Sequence, residues 1–352
     1  MKKLGRSRLS EIFNSFKDLS VMVVGDFALD VYWYVDMTRS ELSRETPHYT
    51  RPVTKETYSP GASGNICCNV SALGVKDVYA VTVLGEDWRG QILSKELRKN
   101  RVSLDHIITS TDVVTSTYIK SILCGFDSQQ EDSRLDFVNC NPLPKGLENR
   151  LIEEIRSAVP KIDAVIVEDQ MVNNGLLTDS VREILINLTE KYPEKSFVSD
   201  SRERIGLFRN MVLKPNRMEA VRAVRPSRNP QEVGIEELRE IGLQLQGRAK
   251  RPIYITLSER GALLVTESAQ YHIPAAPTKP PIDPTGAGDT FISAIATSLA
   301  GGAAPIEAGI IANLAAGVTV KKVNTTGTAS PEEILSNFEE ALSSEDWQWL
   351  LG

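Results

Sequence analysis

The stretch Asp283-Pro284-Thr285-Gly286-Ala287-Gly288-Asp289-Thr290 runs directly into Phe291, Ile295 and Leu299, apolar residues that recur at every fourth position. Small residues ahead of such a stripe predict the N-terminus of an amphipathic helix. A second stripe, Ile306, Ile310, Leu314 and Val318, has the same spacing, so two packed helices are expected after the 280s. Gly301 and Gly302 mark the stop between them, and Pro305 suits the first turn of the second. Upstream, short β-rich runs at 21–24, 78–84, 164–167, 197–199, 211–213 and 253–257 alternate with longer helical patterns. That alternation predicts an α/β fold, a mainly parallel sheet sandwiched by helices.

Two stretches break the alternation. Residues 31–59 and 113–138 hold β-branched and aromatic residues without a helical pattern, and read as strands of a small added sheet. Each follows a core element at the same end of the main sheet, which places the added sheet as a lid over the crevice at the strand carboxyl ends. The length of 352 residues allows one large domain or two smaller ones, and a single core over 1–352 carrying this lid fits best. Residues 224–231, with Pro226 and Pro230, read as a long loop.

Composition narrows the class. A hydrophobic share of 41% and a charged share of 24% are those of a globular protein, which excludes disordered and collagen-like chains. The formal charge of −6 and the lack of any basic stripe argue against nucleic acid as a partner. No apolar run approaches the ~20 residues that span a bilayer, so no membrane partner is expected. The basic N-terminus runs into Glu11, Asn14, Lys17 and Asp18 where a signal peptide needs an apolar core, and a cytoplasmic protein is expected. Cys67, Cys68, Cys124 and Cys140 lack metal-ligand spacing and read as reduced thiols, with at most one of the adjacent pair Cys67 and Cys68 facing the core of a helix over 64–73.

The chemistry concentrates at 283–290. Free N–H groups at a helix N-terminus converge on a phosphate, and Gly286 and Gly288 allow it to come close. Asp289 among them suits a general base that takes a proton from an acceptor hydroxyl while the N–H groups of Gly286, Ala287 and Gly288 hold a phosphoryl group. It also suits a plain helix acid favoured by the dipole. Singly, Asp26 reads as a turn cap, Asn65 as a solvated helix residue and Glu219 as a surface charge.

Taken together these residues resemble the PfkB/ribokinase family of carbohydrate kinases. Asp283 to Phe291 is similar to its second signature, and Val21-Met22-Val23-Val24-Gly25-Asp26 to its first strand, whose closing acid binds sugar hydroxyls. Pro60-Gly61-Ala62-Ser63-Gly64-Asn65 resembles its glycine-rich sugar-binding turn. Asn216-Arg217-Met218-Glu219 resembles its N-x-x-E motif, which organises magnesium and phosphates through water. Thr256-Leu257-Ser258-Glu259-Arg260-Gly261 is similar to its nucleotide-binding strand and turn, and Asn313-Leu314-Ala315-Ala316-Gly317 to a helix start bordering the adenine. The resemblance implies ATP with Mg2+ as cofactors, a monovalent cation such as K+ as a further possibility, and a homodimer formed through the lid.

Within the family, residues 25–34, Ser43-Arg44-Glu45-Thr46-Pro47 and Gly327-Thr328-Ala329 after Asn324 are most similar to the heptose-phosphate kinase half of bifunctional kinase/adenylyltransferase enzymes. That implies D-glycero-D-manno-heptose 7-phosphate, phosphorylated at its anomeric hydroxyl, as acceptor. Three departures bear on this. Gly61-Ala62 stands where the family has two glycines, the heptose kinases' Asp-Tyr-x-Lys-Gly loop becomes Asp169-Gln170-Met171-Val172-Asn173-Asn174-Gly175, and their Asp-Pro-Lys becomes Asp200-Ser201-Arg202. Arg202 is then the expected partner of a sugar phosphate, with Asp169 beside the acceptor. No His-x-Gly-His motif exists, so adenylyl transfer is not expected. Other readings are a kinase for ribose, fructose or a similar sugar, and a non-catalytic sugar or nucleotide sensor. A nicotinamide dehydrogenase would need a G-x-G-x-x-G after the first strand.

Overall fold

The computed structural model describes residues 3–323 and 326–352. Its strands, in chain order, are β1 (Ser20–Gly25), β2 (Phe27–Asp36), β3 (Val53–Ala62), β4 (Asp77–Gly85), β5 (Val102–Ser110), β6 (Ser116–Cys124) and β7 (Gln129–Phe137). They continue with β8 (Ala164–Asp169), β9 (Ser196–Ser201), β10 (Val212–Leu213), β11 (Ile253–Thr256), β12 (Ala262–Val265) and β13 (Gln270–Ile273). The helices are α1 (Arg6–Ser15), α2 (Ser63–Ala72), α3 (Trp88–Lys99), α4 (Lys145–Ala158), α5 (Asp179–Lys191), α6 (Arg217–Val224), α7 (Ile235–Ala249), α8 (Ala287–Ala300), α9 (Pro305–Thr319) and α10 (Pro331–Leu342).

Nine strands form one sheet in the order β13-β12-β11-β10-β9-β8-β1-β4-β5, parallel from β11 to β5, with β12 and β13 antiparallel at one edge. The period-2 geometry of a strand explains the continuous apolar runs. Val21 and Val23 of β1 pack into the apolar layer that includes Phe291 and Ile295 of α8 and Ile311 of α9. Met22 and Val24 point the other way, into the layer of Leu151 of α4, Leu185 of α5 and Leu245 of α7. Both faces of the sheet are thus covered, as the alternation of elements predicted.

The second sheet is four-stranded, β3-β2-β6-β7, and it is longer than the two irregular stretches suggested. β2 begins at Phe27, directly after the β1 carboxyl end, and pairs antiparallel with β3 as far as Phe27↔Ala62. Pro60-Gly61-Ala62 is therefore the end of a strand and not a free turn. The chain passes from β3 into α2 at Ala62, which takes φ 49° and ψ −129°. This is a conformation natural to glycine and strained for alanine.

α2 is buried from Ser63 through Ser71, because it lies under α8 and against β3 and β4. Cys67 and Cys68 are accordingly both buried, contrary to the one-sided helix expected. A surface helix hides one stripe, whereas a helix covered on several sides hides nearly all of its circumference. The heptose-kinase likeness after residue 323 includes Asn324, which lies outside the described residues.

Gly25 marks where the two sheets diverge. A Cβ placed on it would stand 2.1 Å from the Glu168 carbonyl oxygen of the neighbouring strand. Gly25→Ala must push β1 away from β8 and shift the adjoining Asp26. We expect a loss of roughly 1–3 kcal/mol in urea unfolding, and an unchanged midpoint would show that the β1–β8 spacing is not set here.

Candidate active site

The carboxyl ends of β1, β8, β9 and β10 meet the N-terminus of α8, and the residues singled out in the sequence gather there. Gly286 is the N-cap residue of α8, at φ 78°. A side chain on it would press on the Asn65 amide, 3.0 Å away. The Ala287 N–H turns back to the Pro284 carbonyl at 3.1 Å and is spent, while those of Gly286, Gly288 and Asp289 find no backbone acceptor among the described residues. The expected set of free N–H groups, those of Gly286, Ala287 and Gly288, is thus corrected at one position: the N–H of Asp289 replaces that of Ala287.

Asp289 occupies the first turn of α8, half-buried at the bottom of the crevice. Asn65 Nδ2, from the first turn of α2, donates to its Oδ2 at 2.6 Å. Asn65 is buried, so it is not a solvated helix residue. Burial pushes the Asp289 carboxyl up to about 6; the Asn65 bond and the Lys214 ammonium oppose the rise, and Asp200 and Asp30 add to it.

Lys214 is the residue that sequence reasoning missed. It is buried after β10, and its Nζ lies 2.5 Å from Asp200 Oδ2 and 3.6 Å from where a Gly288 Cβ would sit. Burial alone would lower its pKa, but Asp200, Glu219 and Glu168 outweigh that and hold it protonated. Among the described residues, two buried carboxyl oxygens in the same cluster, Glu168 Oε2 and Asp200 Oδ1, have no hydrogen-bond partner. Burial, then Asp200 and Asp289, drive the Glu168 carboxyl well above its ordinary range. The signal was available in outline: Glu168, Asp200 and Lys214 each end an apolar strand run, where a charged residue has little reason to be unless the strand ends share a site.

Asn216 and Glu219 form a reciprocal capping box at the start of α6. Asn216 Oδ1 accepts from the Glu219 N–H at 2.9 Å, and Glu219 Oε2 accepts from the Asn216 N–H at 2.7 Å. Their spacing thus reflects helix initiation. One oxygen of Glu219 is left over, half-buried and pushed up to about 7 by burial and Asp200, so this acid belongs to the cluster and is not a surface charge.

A cavity of about 760 Å³ opens on the other side of the α8 N-terminus. Thr256, Ser258, Gly261 and Asn313 line it together with Ala287 and Gly288. Gly261, at φ 80°, leaves no room for a side chain beside the Ile273 carbonyl. Asn313 lies inside α9 and not at a helix start; its Nδ2 donates to the Gly309 carbonyl at 3.2 Å, and the residue lines this cavity along with Ala316 and Gly317.

The acceptor-side residues stand differently from expectation. Asp26 is buried, and both its oxygens are engaged by a loop: Oδ2 accepts from the N–H groups of Gln170 and Met171, and Oδ1 from that of Leu176 at 2.7 Å. Burial pushes its carboxyl up to about 6 against these three bonds. Asp169, expected beside the acceptor, is buried and spent. Arg204 grips it with two bonds, at 2.5 and 2.9 Å, and Ser201 Oγ donates to it at 2.6 Å. Arg204 takes this carboxylate because the side-by-side ends of β8 and β9 bring 204 and not 202 over Asp169. Arg202 is exposed, with one bond to Gln170 Oε1 at 3.0 Å. Gly61 packs against Asp30, which no motif singled out; burial pushes that carboxyl up to about 6, and Lys120 and Arg134 oppose the rise.

Removing the one buried ammonium should expose the cost of this cluster. Lys214→Met leaves buried carboxylates uncompensated, and a loss of about 3–5 kcal/mol is expected at pH 7. Acids whose folded pKa is raised become neutral as pH falls, so the deficit should shrink between pH 7 and pH 5. Urea unfolding at both pH values checks this, and a pH-independent deficit would mean that Lys214 only fills space.

Comparison with known proteins agrees with the fold and the class of chemistry. Structures of Arabidopsis thaliana ribokinase complexed with ribose and ATP and of Escherichia coli phosphofructokinase-2 in complex with potassium superpose with TM-scores of 0.69 and 0.71, at 18% and 17% identity. The first match covers 91% of this chain and 98% of the ribokinase, the second 92% and 99%, so the fold is ribokinase-like. The bifunctional protein HldE of Bradyrhizobium sp. (strain ORS 278) is 30% identical over 326 residues, 90% of this chain and 64% of that protein. HldE of Geotalea uraniireducens (strain Rf4) is 29% identical over 346 residues, 97% of this chain and 67% of that protein. The chain therefore spans about two thirds of the length of these relatives. Among the described residues, no helix is long and apolar enough to cross a membrane. Residues 18–333 match the pfkB family carbohydrate kinase family, and the chain belongs to it.

Proposed function

We propose that this carbohydrate kinase transfers the γ-phosphoryl group of ATP to a sugar hydroxyl, with Asp289 as the base. The observation that carries this reading is the position of Asp289. It sits at the helix end whose Ala287 and Gly288 line the larger cavity, and it is bonded to Asn65, whose helix starts where the Ser63 N–H donates to the Asp26 carbonyl. One helix terminus thus borders a nucleotide-sized cavity on one side and an acid-lined crevice on the other. Thr256, Ser258, Gly261 and Asn313 take the nucleotide, and Asp26, Gly61 and Asn65 border the acceptor, with Asp26 also holding the loop.

In this reading Asp289 accepts the hydroxyl proton at its free oxygen. The N–H groups of Gly286, Gly288 and Asp289 and the ammonium of Lys214 face the charge that spreads over the transferring phosphoryl oxygens. Among the described residues no three acids, histidines or cysteines converge on an ion by themselves. Mg2+ keeps most of its water and leans on substrate phosphates, so the spare Glu219 oxygen fits it as a contact through water, with Asn216 fixing that side chain. When bound, the ion would neutralise phosphate charge. The potassium in the phosphofructokinase-2 structure makes K+ dependence worth titrating. The lid sheet, with β3 and β7 at its edges, is the surface through which we place a homodimer.

The similarity to the HldE proteins makes D-glycero-D-manno-heptose 7-phosphate and its unphosphorylated form the acceptors to compare first, with Arg202 the exposed cation that a phosphate would have to recruit. Asp169 is removed from that role by its bonds to Arg204.

ADP formation measured across a panel of sugars and sugar phosphates tests the reading. Asp289→Asn keeps the shape and the Asn65 contact but accepts no proton, so turnover should fall by roughly 10²–10⁴-fold while ATP binding persists. A variant within threefold of wild type would remove Asp289 from the mechanism. The base must be ionised and its carboxyl titrates at about 6. kcat/KM should therefore hold above that pH and decline as pH drops through it, by about tenfold per unit once well below. A flat profile from pH 5 to pH 8 would point to a different base.

A further inference from the structure

A second cavity, of about 500 Å³, opens beyond Asp26 on the side away from α8, between the end of β4, the base of the lid and the loop 171–176. Its wall has a definite chemical character. Aliphatic side chains dominate, and three of them, Val114, Val138 and Val172, are exposed at its rim. Four asparagines, Asn139, Asn141, Asn173 and Asn174, stand among its polar residues.

The wall has one ionisable carboxyl, Asp26, and no lysine, arginine or histidine. Arg204 lies behind the loop, but its charge is matched by Asp169, and it also donates to the Met171 and Val172 carbonyls. Arg202 is not part of the wall. The loop itself is fixed, not loose. Asp26 holds it at Gln170, Met171 and Leu176, Asn174 Nδ2 donates to the Asn139 carbonyl at 3.0 Å, and Tyr118 Oη reaches Met171 Sδ at 3.5 Å. Asn139 is in turn spent on the backbone of Val114. Asn141 and Asn173 remain with amides that make no such bond among the described residues.

We propose that this cavity receives the end of the acceptor remote from the phosphorylated hydroxyl, and that this end is uncharged and partly apolar, as in a deoxy sugar or a glycoside. The proposal rests on the kinase reading and deepens it. A phosphate here would meet Asp26 with no cation in the wall among the described residues, and the amides would not offset that repulsion in a half-enclosed site. An uncharged arm covers the valine rim and pairs its hydroxyls with Asn141 and Asn173, removing apolar surface from water without stranding a polar group.

Matched acceptors test this: 6-deoxymannose against mannose 6-phosphate, and D-glycero-D-manno-heptose against its 7-phosphate. The uncharged member of each pair should have the higher kcat/KM by about tenfold or more, the size expected when a charge-assisted partner is missing. Val172→Lys places a cation on the exposed rim, where folding is not at stake, and should reverse the preference. Cys140, exposed in the wall, gives a reading independent of turnover. 6-Deoxymannose should slow its alkylation by iodoacetamide, followed by peptide mass spectrometry, and mannose 6-phosphate should not.

Wild-type preference for the phosphorylated members, or Cys140 protection by mannose 6-phosphate equal to that by 6-deoxymannose, would overturn the proposal while leaving the kinase intact. Absence of ADP formation with every acceptor would instead count against the kinase reading, and the alkylation experiment would still decide what the cavity holds.

Discussion

One buried ammonium against four carboxyl groups is the constraint on which the site depends. Glu168 and Asp200 close adjacent parallel strands, Glu219 opens α6, Asp289 opens α8, and the shared cation is Lys214. Parallel strands put all their carboxyl ends on one side, so residues that are distant in the chain are forced into one crevice. The crevice is tolerable because helix N-termini and Lys214 offset the acids, and because burial leaves part of the cluster protonated. It is also underneutralised, with Glu168 Oε2 and Asp200 Oδ1 unpartnered.

The same crowding accounts for the two sheets. β1 and β2 are separated by Asp26 alone, so the acid at the β1 end also sets where the lid begins. Its two oxygens reach across to the loop 170–176, and the lid base reaches that loop through Asn139 and Tyr118. Lid, loop and core are therefore one hydrogen-bonded unit around the acceptor side.

Ala62 shows how closely this unit is packed. A non-glycine residue is held at φ 49° where β3 turns into α2, and two residues on, Gly64 has no room for a Cβ beside Pro60. Strain kept at such a corner is affordable only where surrounding contacts over-determine the backbone. Here the corner fixes Asn65, whose amide fixes Asp289.

Much of this was legible from residues alone. Period-4 stripes located α8 and α9, apolar runs located β1, β4, β8, β9 and β11, and the small residues before Phe291 located the N-terminus of α8, because local periodicity and turn chemistry are short-range properties. The antiparallel pair β12 and β13 was missed: four-residue strands at a sheet edge are too short for a period to register. Partnership was the larger gap. Asp169 and Arg202 looked like a substrate pair in the sequence, but side-by-side strands gave Asp169 to Arg204. Asn216 and Glu219, expected to organise magnesium through water, also bind each other's backbone. The chain alone thus determined which charged groups arrive at the strand ends. Only the tertiary structure decided which of them are already satisfied by a neighbour and which are left for a ligand, because hydrogen-bond satisfaction depends on distances between segments that no local pattern encodes.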